Sequence, residues 1–158
     1  EIVVPEGIAD IVAEGIALGH CTDARRVERY LARITEGESF IMFLRKAEAR
    51  DVPWYTLEVE PGAHVRQKRT LNDTQGSDLA DAEAFLRKWQ AAIPGHLSAE
   101  EIRRAEISRI KRLAEFAKLR ADGVTVRYGD FAGQLLADIL EGDLMENESI
   151  KGEKICRT

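Results

Sequence analysis

A chain of 158 residues with 44% hydrophobic and 32% charged side chains has the length and balance of one soluble globular domain with a single substantial core. Its net charge of −5 argues against a protein that coats nucleic acid nonspecifically, but leaves room for a local basic patch. No apolar run approaches the ~20 residues of a membrane span, no basic-then-apolar leader opens the chain, and Cys21 and Cys156 form no ligand-spaced cluster; a reduced, cytoplasmic protein with no metal, cofactor or disulfide is expected.

Glu1 stands where a methionine would, which suggests a trimmed product or a domain cut from a longer polypeptide. Pro5 and Gly7 open an apolar stripe at Ile8, Ile11, Val12, Ile16 and Leu18, which predicts an amphipathic helix ending near Gly19. Asp23 is placed to cap a second helix that buries Val27, Tyr30, Leu31 and Ile34 and stops near Gly37. The period then changes. Ser39 to Arg45 is a nearly continuous apolar run of strand length, Trp54 to Val59 alternates as a half-buried strand does, and Val65 to Arg69 returns after the turn at Glu60-Pro61-Gly62. Pro53 belongs in the loop between the first two strands, since proline donates nothing to a ladder.

A helix over 77–92 carries Leu79, Ala82, Phe85, Leu86 and Trp89 at helical spacing, and Pro94-Gly95 ends it. Ser98 and Glu101 form a capping box that starts a long charged helix, with Ile102, Ala105, Ile110, Leu113, Phe116 and Ala117 turned toward a core and Gly123 at its end. A short strand over 124–128 and a last helix over 130–140 are expected. The fold class is α+β, a three-stranded antiparallel meander packed with about five helices. Residues 1–140 make one domain, and 141–158 read as a polar, loosely ordered tail.

Strand alternation predicts a site. Thr56 and Glu58 share one face of their strand, and if register brings in Arg45 and Gln67 from the neighbouring strands, the four form a polar strip framed by Trp54 and Phe43. Such a strip either holds a substrate or forms a salt-bridged outer face. His20, Cys21 and Tyr30, at the bend between the first two helices, would complete a site by approaching it. Cys21 would need a base from another element, for which His64 is better placed than its neighbour His20. Arg66, Lys68 and Arg69, with Arg25, Arg26, Arg29 and Arg33, supply a possible phosphate-binding surface, against the plainer reading of a solvated charged face.

The ordered series Glu14-Gly15, Leu18, His20-Cys21, Tyr30, Gly37, Leu44-Arg45, Pro53, Tyr55-Thr56-Leu57-Glu58, Gln67 and Asn72 resembles the PcfJ-like family of conjugative plasmids, integrated elements and phages, over about residues 2–89, with 98–140 as a helical extension. Thr22, Asp23, Lys68 and Arg69 stand at or near places where the family usually has glycines, which marks a divergent member. The resemblance implies a mobile-element accessory protein and places a polar signature on His20, Cys21, Tyr30, Arg45, Thr56, Glu58, Gln67 and Asn72.

The leading expectation is an accessory domain that binds a nucleotide, a nucleic-acid end or a protein partner of a mobile-element or defence-related system, away from membranes. An enzymatic alternative has Glu58 as base or stabiliser, Arg45 as anion clamp, Gln67 as orienter and His20 or Cys21 as acid or nucleophile, acting on a nucleotide or phosphoryl-type substrate. In a third reading these residues interlock helix and sheet, and the charged helix over 98–122 binds a protein.

Overall fold

The computed structural model describes residues 1–19 and 27–150. The meander is present, formed by β2 (Phe40–Leu44), β3 (Tyr55–Glu60) and β4 (His64–Arg69), all antiparallel. A fourth strand, β1 (Ile2–Val3), pairs with β2 in the order β1-β2-β3-β4. Two residues before a proline are too short to show a period, so the pattern revealed three strands and the sheet has four.

Among the described residues five α-helices surround the sheet: α1 (Ile8–Leu18), α2 (Glu28–Thr35), α3 (Leu79–Ala92), α4 (Ala99–Ala121) and α5 (Leu136–Asp143). Helix α1 ends on Gly19, whose φ of 65° is the left-handed cap that glycine adopts without a Cβ penalty. The capping box is formed as expected: the Ser98 hydroxyl accepts from the Glu101 amide, and the Glu101 carboxylate accepts from the Ser98 amide.

Both sheet faces are largely covered by helices. On one side Leu44, Tyr55, Leu57, Val59 and Val65 pack against Ala82 and Leu86 of α3 and against Met145. On the other, Ile41 and Phe43 pack beneath Ile11 of α1, Val27 and Tyr30 of α2. The expected wet outer face is thus covered by the first two helices. Trp54 precedes β3 and escapes its alternation; its ring meets Tyr55 edge-on at 5.4 Å and packs on the α3 side, so it does not frame the strip.

Three further expectations need correction. Helix α4 buries Ala105, Ser108, Arg112 and Phe116 and exposes Ile110 and Leu113, because its inward face meets charged strand residues instead of an apolar core. The 124–128 strand is reduced to a single bridge, Thr125 to Leu135, closing a hairpin-like loop before α5. The tail is ordered well past 140. Val65 and Met145 exchange backbone hydrogen bonds of 2.9 and 2.8 Å, Gln90 donates to the carbonyls of Ala63 and Met145 at 2.8 Å each, and Asn147 donates to those of Gly62 and Gln90 at 3.0 Å each. Polar composition suggested a tail; paired burial of those polar groups makes 141–150 part of the domain.

Candidate functional site

The register places Phe43 opposite Thr56, Thr56 opposite Arg69, and Glu58 opposite both Ile41 and Gln67, so one sheet face does carry the expected polar residues. A bulge between Glu58 and Val59 adds Arg66 to this face, where it meets Glu60. Once α1, α2 and α4 are laid on that face, the polar strip divides into three parts.

The first part is a buried ion pair whose residues line a surface hollow of about 570 Å³ between α1 and the β1 and β2 ends. Arg45 donates twice to Glu14 of α1, at 2.9 and 2.5 Å, with its guanidinium 4.8 Å from the centre of the Phe43 ring. Thr56 donates to the same carboxylate at 3.3 Å. Both Arg45 and Thr56 are buried here. Glu14 is the partner that helical periodicity overlooks. It interrupts the Ile11–Leu18 stripe with an acid, and an acid in a core register signals a buried cation opposite.

The second part is a buried chain of charges. Glu58 accepts from Ser39 and from Arg33, each at 2.7 Å; Arg33 also holds Glu115 of α4. Arg66 bonds Glu60 at 2.6 Å and Glu38 at 2.9 Å, and Arg112 reaches Glu60 at 2.7 Å and Glu146 at 3.2 Å. Burial raises the Glu60 carboxyl above its ordinary range despite the two guanidiniums beside it. The Arg33 guanidinium is held charged: burial opposes this, and Glu58 with Glu115 outweigh it. Glu58 is therefore committed to neighbours inside the fold and does not stand at a solvent-facing surface. Arg66, 4% exposed, presents no charge to solvent.

The third part is open. A cleft of about 640 Å³ lies between α2, the end of β4, α5 and the hairpin-like loop. The lining from α2, β4 and the segment after it is mostly polar, with Arg29, Tyr30, Arg33, Gln67, Arg69, Asn72, Thr74 and Gln75. The lining from α4, the hairpin-like loop and α5 is mostly apolar, with Leu119, Val126, Leu136, Ile139 and Leu140 and the rings of Tyr128 and Phe131, but it also includes Glu115 and Asp130. Of the residues singled out from sequence, Arg29, Tyr30, Arg33, Gln67, Arg69 and Asn72 meet here; Arg45, Thr56, Glu58, Arg66 and Lys68 do not line it. His20 and Cys21 lie outside the described residues, as do Arg25 and Arg26. His64 accepts from the Asn147 amide at 2.7 Å.

The polar lining is fixed from behind. Lys68, 2% exposed, faces away from the cleft and donates to the Asp143 carbonyl at 2.7 Å and to its carboxylate at 3.2 Å. Asp143 in turn holds Gln75 at 2.6 Å and Arg69 at 3.1 Å. Burial raises the Asp143 carboxyl, and Arg69 and Lys68 oppose that rise. The Gly76 amide donates to the Tyr55 hydroxyl at 2.9 Å, and Trp54 donates to Asp78 at 2.8 Å, which anchors the chain carrying Thr74 and Gln75. Asn72 adopts φ 55°, a left-handed conformation asparagine tolerates, and its Oδ1 would lie 2.8 Å from a Cβ added at Gly19. Among the described residues no group of three or more His, Cys, Asp or Glu side chains is arranged to hold a metal ion, and no helix is long and apolar enough to cross a membrane.

The first two helices and the sheet thus form one unit, with the cleft at its junction with the carboxy-terminal helices. The PcfJ-like protein family matches residues 1–81, and the chain belongs to that family. It is also similar to the uncharacterized protein Lin1253/Lin1744 of Listeria innocua, with 28% identity over 93 residues, 58% of this chain and 19% of that protein. The chain therefore spans about a fifth of the length of the curated relative it matches. No solved structure matches it.

Proposed function

We propose that this chain is a cytoplasmic accessory domain of a mobile genetic element, a conjugative plasmid or phage, and that it binds a nucleotide or the end of a nucleic-acid strand in the cleft. The observation behind this reading is the composition of the cleft, to which α2, β4 and the segment after it bring arginines and amides, and α4, α5 and the loop between them bring apolar side chains and the rings of Tyr128 and Phe131. A nucleotide has the matching halves: an anionic phosphate for arginines and amides, and a flat base for an aromatic face. A cavity of about 640 Å³ has the size of an ordinary small-ligand site. The cleft carries three arginines, of which Arg33 is paired with Glu58 and Glu115 and Arg69 with Asp143, so a bound phosphate would share these guanidiniums with the carboxylates that position them.

Fluorescence anisotropy with a labelled, 5′-phosphorylated single-stranded oligonucleotide at low salt, with AMP as competitor, tests this. Tyr128 is 85% exposed and Arg29 is also exposed, so Tyr128→Ala and Arg29→Ala should leave the fold intact. Each should weaken binding about ten-fold, the order expected for loss of one stacked base or one charged phosphate contact. Absence of binding at low salt, or binding unchanged in both variants, would overturn the proposal.

A further inference from the structure

Helix α4 presents a second surface, independent of the cleft. Its inward face is Ala105, Ser108, Arg112 and Phe116. On the opposite side Arg103, Ile107, Ile110, Ala114, Ala117 and Ala121 follow one another at alternating intervals of four and three residues, and all six are exposed. That spacing lays the six along one stripe of the helix, the stripe a coiled-coil seam would use. Ile107 and Ile110 are 47% and 57% exposed, and Leu113 beside them 44%. Solvated helix faces do not usually present β-branched residues at consecutive seam positions.

The flanks indicate what fits. Arg104, Lys111 and Lys118, spaced seven apart, make one flank of the seam wholly basic. Their present partners Glu100, Glu36 and Asp122 are all exposed, and such surface pairs are readily exchanged. Beside this flank a groove of about 480 Å³, with Ile34, Phe40 and Ile107 on its walls, gives room for an inserted side chain. We infer that α4 docks an amphipathic helix of another protein, one with an apolar seam and a row of acidic residues beside it. A second copy of this chain fits less well. Antiparallel self-pairing would set Lys111 against Lys111 and Arg104 against Lys118, whereas an acidic helix matches all three.

Two designed helical peptides with the same leucine seam, one flanked by glutamates and the other by lysines, distinguish the possibilities by fluorescence anisotropy. The glutamate peptide should bind at least about ten-fold more tightly than the lysine peptide, with affinity falling as salt rises. Ile107→Glu with Ile110→Glu should abolish binding, while circular dichroism confirms that the fold is retained, since both positions face solvent. Lys111→Glu with Lys118→Glu should reverse the preference toward the lysine peptide. Failure of both peptides to bind, equal binding of the two, or a seam-dependent dimer of the protein alone in sedimentation would each overturn the inference.

Discussion

Removing Glu14 alone, Arg45 alone, and both together separates a structural ion pair from a polar strip kept for a ligand. The two side chains are 3% and 8% exposed and joined by two short hydrogen bonds. Glu14→Leu leaves a guanidinium under α1 without its counter-ion, and Arg45→Met leaves a carboxylate there; breaking a buried pair from one side costs about 3–5 kcal/mol. For a chain of 158 residues each kcal/mol lowers the thermal midpoint by about 2–4 °C, so each single variant should melt about 6–20 °C below the parent. The double variant should recover to within about 1–2 kcal/mol, because two apolar groups of similar volume avoid the desolvation penalty and a methionine thioether can replace the guanidinium over the Phe43 ring. Urea unfolding followed by circular dichroism gives the three free energies and hence the coupling. Single variants costing less than about 1 kcal/mol, the range of an exposed pair, would refute the buried-pair description. A double variant as unstable as the singles would show that the penalty is not electrostatic.

Three other outcomes follow from the same geometry. Asp143→Ala should cost about 3–5 kcal/mol in urea unfolding, since it removes the carboxylate that holds buried Lys68, and it should also weaken ligand binding by releasing Gln75 and Arg69. Gly19→Ala forces a side chain into φ 65° and toward Asn72, for an expected loss of about 1–2 kcal/mol in the same assay. The Asp78 carboxyl is held below its ordinary range: burial opposes this, and hydrogen bonds from Trp54 and Tyr55 outweigh it. A carboxylate whose folded-state pKa is lowered adds stability above its unfolded value near about 4, and that stability disappears as pH falls through the folded value. The difference in thermal midpoint between the parent and Asp78→Asn should therefore be largest near neutrality and shrink below about pH 4; a difference independent of pH would refute the assignment.

Where local pattern and packing agreed, the fold was legible in the residues. Ser98 and Glu101 announced α4 because the capping box is satisfied within four residues, and the alternation of β3 announced that Thr56 and Glu58 share a face because side-chain parity is a property of the strand itself. What lay beyond reach depended on distant partners. No local feature of Ile2–Val3 marks a strand, since its hydrogen bonds go to residues some forty positions away. The polar segment after 140 resembles a tail until Met145 and Asn147 are seen bonded to β4, α3 and the turn at Gly62. The same holds for Tyr128 and Phe131, which reach the cleft only because the 124–135 loop folds back on itself.

The candidate site was half legible, and the reason lies in how charge is buried. Parity puts Thr56, Glu58 and Gln67 on one face but cannot say which charged residue arrives from a helix to cover them. Glu14 on α1, Arg33 on α2 and Arg112 on α4 each occupy a core register, and each takes a charged partner on or next to the sheet out of reach of solvent. Gln67 differs in being a neutral amide near the end of β4, where the covering helices part; with Tyr30, Asn72 and Arg69 it keeps access to the cleft. A strip of polar residues on a strand therefore divides according to what covers it. Under a helix bearing the opposite charge it becomes a fastening between layers, and at the gap between helices it stays open to a ligand.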